Sequence, residues 1–344
     1  METVRFLLVG LGNLGRRFCQ ILQAKQVPLC QRYGLDLRLV GAADSRGAAY
    51  GPAAGLDLEE VIRLKQAGGT IADYSGAGRC GWTAVDLVSA AEADLLLDAS
   101  PVNLKQGAEP GLTCVRTALD RGMHVVTPNK GPLVLAYQEL HELAAARGVE
   151  LRFDGTVAGG LPALYLGQRD LRGAVIRRLE AVPNLVTGYV MDMLADGVPW
   201  DEALACARRE GVLEADGSWD LEGWDAAAKL VILANAVLAY PAGLEDVALK
   251  GITAISVDDL AAARAQDARY RLVARAERDA GGAYALSVAP VPLPPDHPLG
   301  HLGRKQMGIV FSTDIYGVIT AIVDEPEPIP SAATMLRDVL DIYL

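Results

Sequence analysis

The sequence has little from which to build a disulfide framework. Its five cysteines, Cys19, Cys30, Cys80, Cys114 and Cys206, are odd in number and nowhere spaced C-x-x-C. That pattern predicts reduced, mostly buried thiols in a cytoplasmic protein. Basic clusters are also missing: none exceeds two residues, and the net charge is −11. This argues against nucleic acid and against an acidic membrane surface as partners. Long apolar runs are absent too. Stretches such as "ADLLLDASPV" stop well short of the roughly 20 residues a membrane span needs, and much of the apolar fraction is alanine. The opening "METVRFLLVG" is too short for a secretory core and leads straight into glycines. What remains is 344 residues, 51% hydrophobic and 22% charged, enough for two globular domains.

Histidine is scarce as well, and this narrows the chemistry. Only His124, His141, His297 and His301 occur. His124 opens an apolar strand, His141 lies in a helix, and the other two fall in the loop "PPDHPLGHLG". None is placed as a general base, so a proton-transfer step is expected to fall to lysine.

The first half alternates strands and helices. "VRFLLVG", "LRLVGAADSRG", "ADLLLDASP", "MHVVTPNKG" and the start of "VELRFDGTVAGG" read as strands. Helical segments "LGNLGRRFCQILQAK", "GAEPGLTCVRTALDRG" and "PLVLAYQELHELAAARG" lie between them. The polar stretch 50–90 reads as a helix at "DLEEVIRLKQAG" with loops. The alternation predicts an α/β fold with a Rossmann-type, doubly wound parallel sheet over residues 1–150. Residues 151–329 turn helical and then alternate as antiparallel strands, predicting a second, α+β catalytic domain. An amphipathic helix over 330–344 is expected to pack back on the first domain. No internal repeat is evident.

Gly10-Leu11-Gly12-Asn13-Leu14-Gly15 is a G-x-G-x-x-G between a strand and a helix. The first glycine permits the turn, the second admits a pyrophosphate close to backbone, and the third lets helix and strand pack. The helix start then offers N–H groups to phosphate. The end of the second strand should choose the cofactor, and both options are present. Asp44 would bond a ribose hydroxyl, and Arg46 beside Ser45 would accept a 2′-phosphate. Asp44 also lies farther beyond Gly15 than the roughly 20 residues usual, with "VPLCQRYGLD" as the longer connection. NAD and NADP both remain open. Two further strand ends, Ser100-Pro101 and Asn129-Lys130, fall on the same carboxyl edge, where ligands of open parallel sheets lie.

The stretch "WDAAAKL" sets Asp225 and Lys229 four apart, on one face of an otherwise apolar helix. Such a pair is either a surface ion pair worth a few tenths of a kcal/mol or one aimed into a site. Glu214 and Asp220 precede it, so three carboxylates stand near one lysine. A substrate carrying an ammonium group would need such acids.

Together "LLVGLGNLG", "DASP", "HVVTPNKGPL", "FDGTVAGGLPAL" and "GVLEADGSWDLEGWDAAAKLVILANAV" resemble the homoserine dehydrogenase family, in its short form without an ACT domain. The resemblance runs from residue 4 to about 320. It implies a nicotinamide cofactor, a homodimer formed through the second domain, and interconversion of L-homoserine with L-aspartate 4-semialdehyde. By that resemblance Lys229 transfers the proton and Asp225 orients it. Glu214 would hold the substrate amine, Asp220 would be a further substrate acid, and Lys130 a second active-site lysine. Ser100 matches the nicotinamide-side hydroxyl. "DGTVAGGL" resembles a sodium loop, with Asp154, Val157, Gly159 and Leu161 as ligands and aspartate where the family usually has glutamate. The chain departs from the family at "NLVTGYV", which keeps only Asn184, Thr187 and Tyr189, at "EADG", and at "VDEPEPIPSAATML". The alternatives are a related oxidoreductase acting on another amino-acid-derived alcohol or semialdehyde, and a nucleotide-binding homologue without turnover.

Overall fold

The computed structural model describes residues 1–51, 55–213, 216–325 and 329–344. The chain divides into two compact units, Met1–Gly160 with Glu327–Leu344, and Leu161–Pro326.

In the first unit the order is β1 (Glu2–Val9), α1 (Asn13–Tyr33), β2 (Leu35–Asp44), β3 (Gly47–Tyr50), α2 (Leu58–Gln66), β4 (Gly78–Cys80), α3 (Ala84–Ala90), β5 (Leu95–Asp98), α4 (Gly111–Asp120), β6 (His124–Val126), α5 (Lys130–Arg147) and β7 (Leu151–Arg152). The sheet order is β4-β3-β2-β1-β5-β6-β7. Strands β2, β1, β5, β6 and β7 pair in parallel. Their order reverses between β1 and β5, which is the switch point of a doubly wound sheet. Continuous apolar runs make these central strands: Phe6, Leu7, Leu8, Leu95, Leu96 and Leu97 are all fully buried.

Three expectations need correction. The stretch read as helix and loops does contain α2, but β3 and β4 also extend the sheet in antiparallel fashion. Their sequences, "GAAY" and "GRC", carry no apolar alternation to announce a strand. Helix α1 does not end before "VPLCQRYGLD"; it runs through Pro28 and stops at Tyr33, capped by Gly34. The missing N–H is tolerated there because Pro28 and Ala24, whose carbonyl would have accepted it, both lie on the exposed side of the helix, open to water. Strand β6 stops at Val126, and Lys130 opens α5 instead of ending a strand, since the Asn129 side chain accepts the Gly131 N–H as helix cap.

The second unit comprises α6 (Ala163–Tyr165), β8 (Ile176–Val182), α7 (Leu185–Ala195), α8 (Trp200–Arg209), α9 (Ser218–Leu221), α10 (Trp224–Ala236), β9 (Val247–Leu249), α11 (Val257–Ala265), β10 (Arg269–Arg278), β11 (Tyr284–Leu293), β12 (Gln306–Thr313) and β13 (Val318–Asp324). Its sheet order is β13-β12-β8-β10-β11-β9, antiparallel except for the β11–β9 pair. Val182, Val273, Leu293, Leu299 and Val310 form a core on this sheet. Helix α12 (Ile329–Tyr343) belongs to the first unit, where Met335 and Val339 enter the same core as Phe6 and Phe18.

Candidate active site

The glycine turn opens where β1 ends and α1 begins. Gly10 has φ +90°, and a Cβ there would lie 2.2 Å from the Ala99 carbonyl oxygen. A Cβ on Gly15 would lie 2.0 Å from the Gly10 carbonyl oxygen. Both glycines are thus required by the chain's own packing. Gly12 is not: its φ is −73°, and a Cβ would meet nothing within 4 Å. The space beside it is open, and a phosphate approaching backbone would fit there. Gly12 is also the N-cap of α1, with no side chain bonded to the first turn and no acid in it. Leu11 is buried beneath the turn, Gly12 and Asn13 are exposed, and Leu14 is half-buried.

Along the same sheet edge a polar network that the sequence reading missed joins the ends of β5 and β6. The Ser100 N–H donates to Asp98 at 3.1 Å, Thr127 Oγ1 donates to Asp98 at 3.2 Å, and Asn129 Nδ2 donates to Ser100 Oγ at 3.0 Å. Asp98 is fully buried. Burial pushes its carboxyl above the usual range, against the pull of bonds from Ser100, Thr127 and Asn129. Gly111 makes room for the network, since a Cβ would lie 2.5 Å from Asn129 Nδ2. The network fixes Ser100, which is buried, and the start of α5, where Lys130 is half-buried. Pro101 is exposed. The only sequence signal was a polar residue closing each apolar run.

Asp44, at the end of β2, is already engaged. Ser45 and Arg46 form a two-residue turn into β3. The carboxylate accepts from Lys65 Nζ at 2.6 Å, Thr70 Oγ1 at 2.9 Å, and the backbone N–H groups of Ile71 and Arg46 at 2.9 Å each. Burial raises its pKa, and the bonds, led by that from Lys65, outweigh burial, leaving it below the usual carboxylate value. Stability from this cluster is therefore present above the ordinary carboxylate pKa and fades as pH falls through the lowered one. Arg46 donates to the Gly68 carbonyl at 2.8 Å. Lys65 lies in "VIRLKQ", where it reads as an ordinary solvated helix charge.

Among the expected cation ligands, Asp154 is 3% exposed and pairs with Arg337 of α12. The Gly159 carbonyl accepts from Thr334 Oγ1 at 3.1 Å. Val157 is buried, and the Leu161 carbonyl accepts the Ala163 N–H at 2.8 Å.

In the second unit, α10 is buried along nearly its whole length, from Asp225 through Ala234 apart from Lys229. The side chains of Asp225 and Lys229 are 9% and 12% exposed. Lys229 Nζ donates to Asp225 Oδ2 at 2.8 Å and to the Pro183 carbonyl at 2.6 Å. Asn184 Nδ2 donates at 2.6 Å both to Asp225 Oδ2 and to Asp220 Oδ1. Its Oδ1 accepts the Thr187 N–H and caps α7. One amide thus ties Asp220 and Asp225 into a ladder that ends on the lysine amine. This is no exposed surface pair, for which the ion pair alone would contribute at most about 1 kcal/mol. Trp219 and Trp224 stack with centroids 5.7 Å apart, on either side of Asp220 in sequence. Glu214 lies outside the described residues, as does Pro326–Pro328 of the C-terminal departure.

The family model "Homoserine dehydrogenase" matches residues 162–340, and "Homoserine dehydrogenase, NAD binding domain" matches residues 10–154. The chain belongs to the homoserine dehydrogenase family. It is 32% identical to the NAD(+)-dependent homoserine dehydrogenase of Pseudomonas canavaninivorans, over 100% of this chain and 97% of that one. A putative homoserine dehydrogenase from Archaeoglobus fulgidus superposes with a TM-score of 0.86 at 31% identity, covering 99% of both chains. A hyperthermophilic archaeal homoserine dehydrogenase in complex with NADPH gives 0.85 at 26% identity, covering 99% of this chain and 98% of that one. Homoserine dehydrogenases are NAD(P)-dependent oxidoreductases, and the glycine turn of the first unit fits that cofactor. Among the described residues no helix is long and apolar enough to cross a membrane.

Proposed function

We propose that this chain interconverts L-homoserine and L-aspartate 4-semialdehyde with Lys229 as the proton-transfer group. The observation that carries the proposal is the Lys229 amine, nearly shielded from solvent and held between a carboxylate and a carbonyl at the start of an apolar helix. In the oxidative direction Lys229 takes the hydroxyl proton, and in the reductive direction it returns one to the aldehyde oxygen. The nicotinamide, when bound, accepts or supplies the hydride exchanged at the substrate's C4. Asp225 and Asn184 orient the amine, and Asp220 and Glu214 bind the substrate's ammonium group. Lys130 serves as a second active-site cation, and Ser100, fixed by Asn129, faces the nicotinamide side. Reduction of aspartate semialdehyde, followed by loss of reduced-nicotinamide absorbance with NADH and then NADPH, tests the activity. No absorbance change with either cofactor removes the reading, and turnover of semialdehydes lacking an amine removes the role of the acids.

Recognition of the amine makes Glu214→Gln a binding variant. It is expected to raise KM for homoserine about 10-fold or more while changing kcat much less, as for interactions made equally in ground and transition states. An unchanged KM removes Glu214 from the site.

The Lys65–Asp44 pair bears on cofactor choice. With Lys65 neutralising the acid and Arg46 beside it, this strand end tolerates a 2′-phosphate. Lys65→Met leaves Asp44 without that cation, so kcat/KM should shift toward NADH relative to NADPH by roughly 10-fold, the scale of about 1.4 kcal/mol of charge interaction. A ratio equal to wild type places the 2′-position elsewhere.

A homodimer through the second unit suits the edge strand β13, where Val318 and Ile322 are 60% and 48% exposed. A cytoplasmic location suits the five cysteines, all free as thiols.

A further inference from the structure

The loop that resembles a sodium site has its positive charge built in. Asp154 offers the one carboxylate of that loop, and its partner is the Arg337 guanidinium. Arg337 also donates from its second terminal nitrogen to the Gly160 carbonyl at 3.3 Å. One turn earlier on α12, Thr334 donates to the Gly159 carbonyl at 3.1 Å. One residue later, Asp338 accepts the Asp154 N–H at 3.1 Å. Positions 334, 337 and 338 share one helical face, and that face grips the loop at both ends. The approach is close: a Cβ on Gly160 would lie 2.4 Å from Pro330 Cβ.

A monovalent cation does not fit these residues. A buried carboxylate tolerates one neutralising charge, and the guanidinium already supplies it with directed hydrogen bonds. A sodium ion on the same oxygens would have to displace the guanidinium from Asp154, since the second acid here, Asp338, is turned to the Asp154 N–H. A ligating carbonyl is likewise engaged, Gly159 by a hydroxyl.

We propose that Arg337 is the resident counter-ion of the Asp154–Gly160 loop, replacing a metal ion, and that the folded chain is indifferent to sodium and potassium. The readout is stability, so the outcome is independent of the catalytic assignment of Lys229. The melting temperature of the full chain is measured in sodium chloride, potassium chloride and choline chloride at equal ionic strength. The wild type is expected to melt within about 1 °C in all three. Arg337→Met is expected to melt roughly 4–8 °C lower in choline chloride, as for loss of a partner from a buried acid. It should regain part of that in sodium or potassium chloride, with saturating dependence. Arg337→Lys, which keeps the charge, should show no such regain. A saturable, cation-specific rise for the wild type overturns the proposal, and so does an Arg337→Met protein equally unstable in all three salts. Should Arg337→Met fail to fold, the wild-type series and Arg337→Lys still decide.

Discussion

Lys229→Ala is expected to lower kcat for semialdehyde reduction by about 10²–10⁴-fold, the usual scale for removing a positioned acid–base group. Dinucleotide affinity should stay within about twofold, because the glycine turn that would hold the pyrophosphate does not include Lys229. The variant deletes an amine tied to Asp225 and to the Pro183 carbonyl, so those acceptors lose a donor. A stability loss of about 1–3 kcal/mol follows from that alone, and the assay must run well below the melting transition. The stacked Trp219–Trp224 pair gives a fluorescence signal to verify that this region is intact. Near wild-type turnover in a folded protein would remove the lysine from the chemistry.

Gly12→Val separates binding from folding in the opposite sense. Since a Cβ at residue 12 meets no protein atom within 4 Å, and φ is negative, the stability loss should stay near the about 1 kcal/mol that a poor N-cap residue costs. Dinucleotide affinity should fall at least about 100-fold, because the branched side chain fills the space a pyrophosphate needs. The contrast is Gly10→Ala, where the same added carbon lies 2.2 Å from the Ala99 carbonyl oxygen at φ +90°. That variant should fail to fold or melt far lower. Titration of both by nicotinamide fluorescence, beside thermal melts, checks the pair. Unaltered affinity in Gly12→Val would mean that the turn is structural only.

The parallel strands and the glycine turn were legible because their signals are local. β1 and β5 are continuous apolar runs, and the spacing of three glycines spells out a turn. β3 and β4 were not, since glycine and alanine pair by backbone alone and announce nothing. The path of α1 through Pro28 depends on water reaching the turn at Ala24, which a rule about proline does not contain. In the candidate site, Asp225 and Lys229 could be paired from helical spacing. The link that joins them to Asp220 runs through Asn184, 36 and 41 residues away from the two acids. Lys65 looked solvated until the fold brought it to Asp44, and Arg337 lies 183 residues from the acid it neutralises. Charge partners of this kind are settled by tertiary structure, and no periodicity records them.

Met335 and Val339 complete the core begun by Phe6 and Phe18. A ribosome delivers those last side chains only after all of the second unit has emerged. The amino-terminal sheet must therefore wait with an open apolar groove along α1 while some 170 intervening residues are synthesised. The unit made first is the one finished last, and a chain arrested before residue 335 leaves that groove exposed to chaperones or to aggregation.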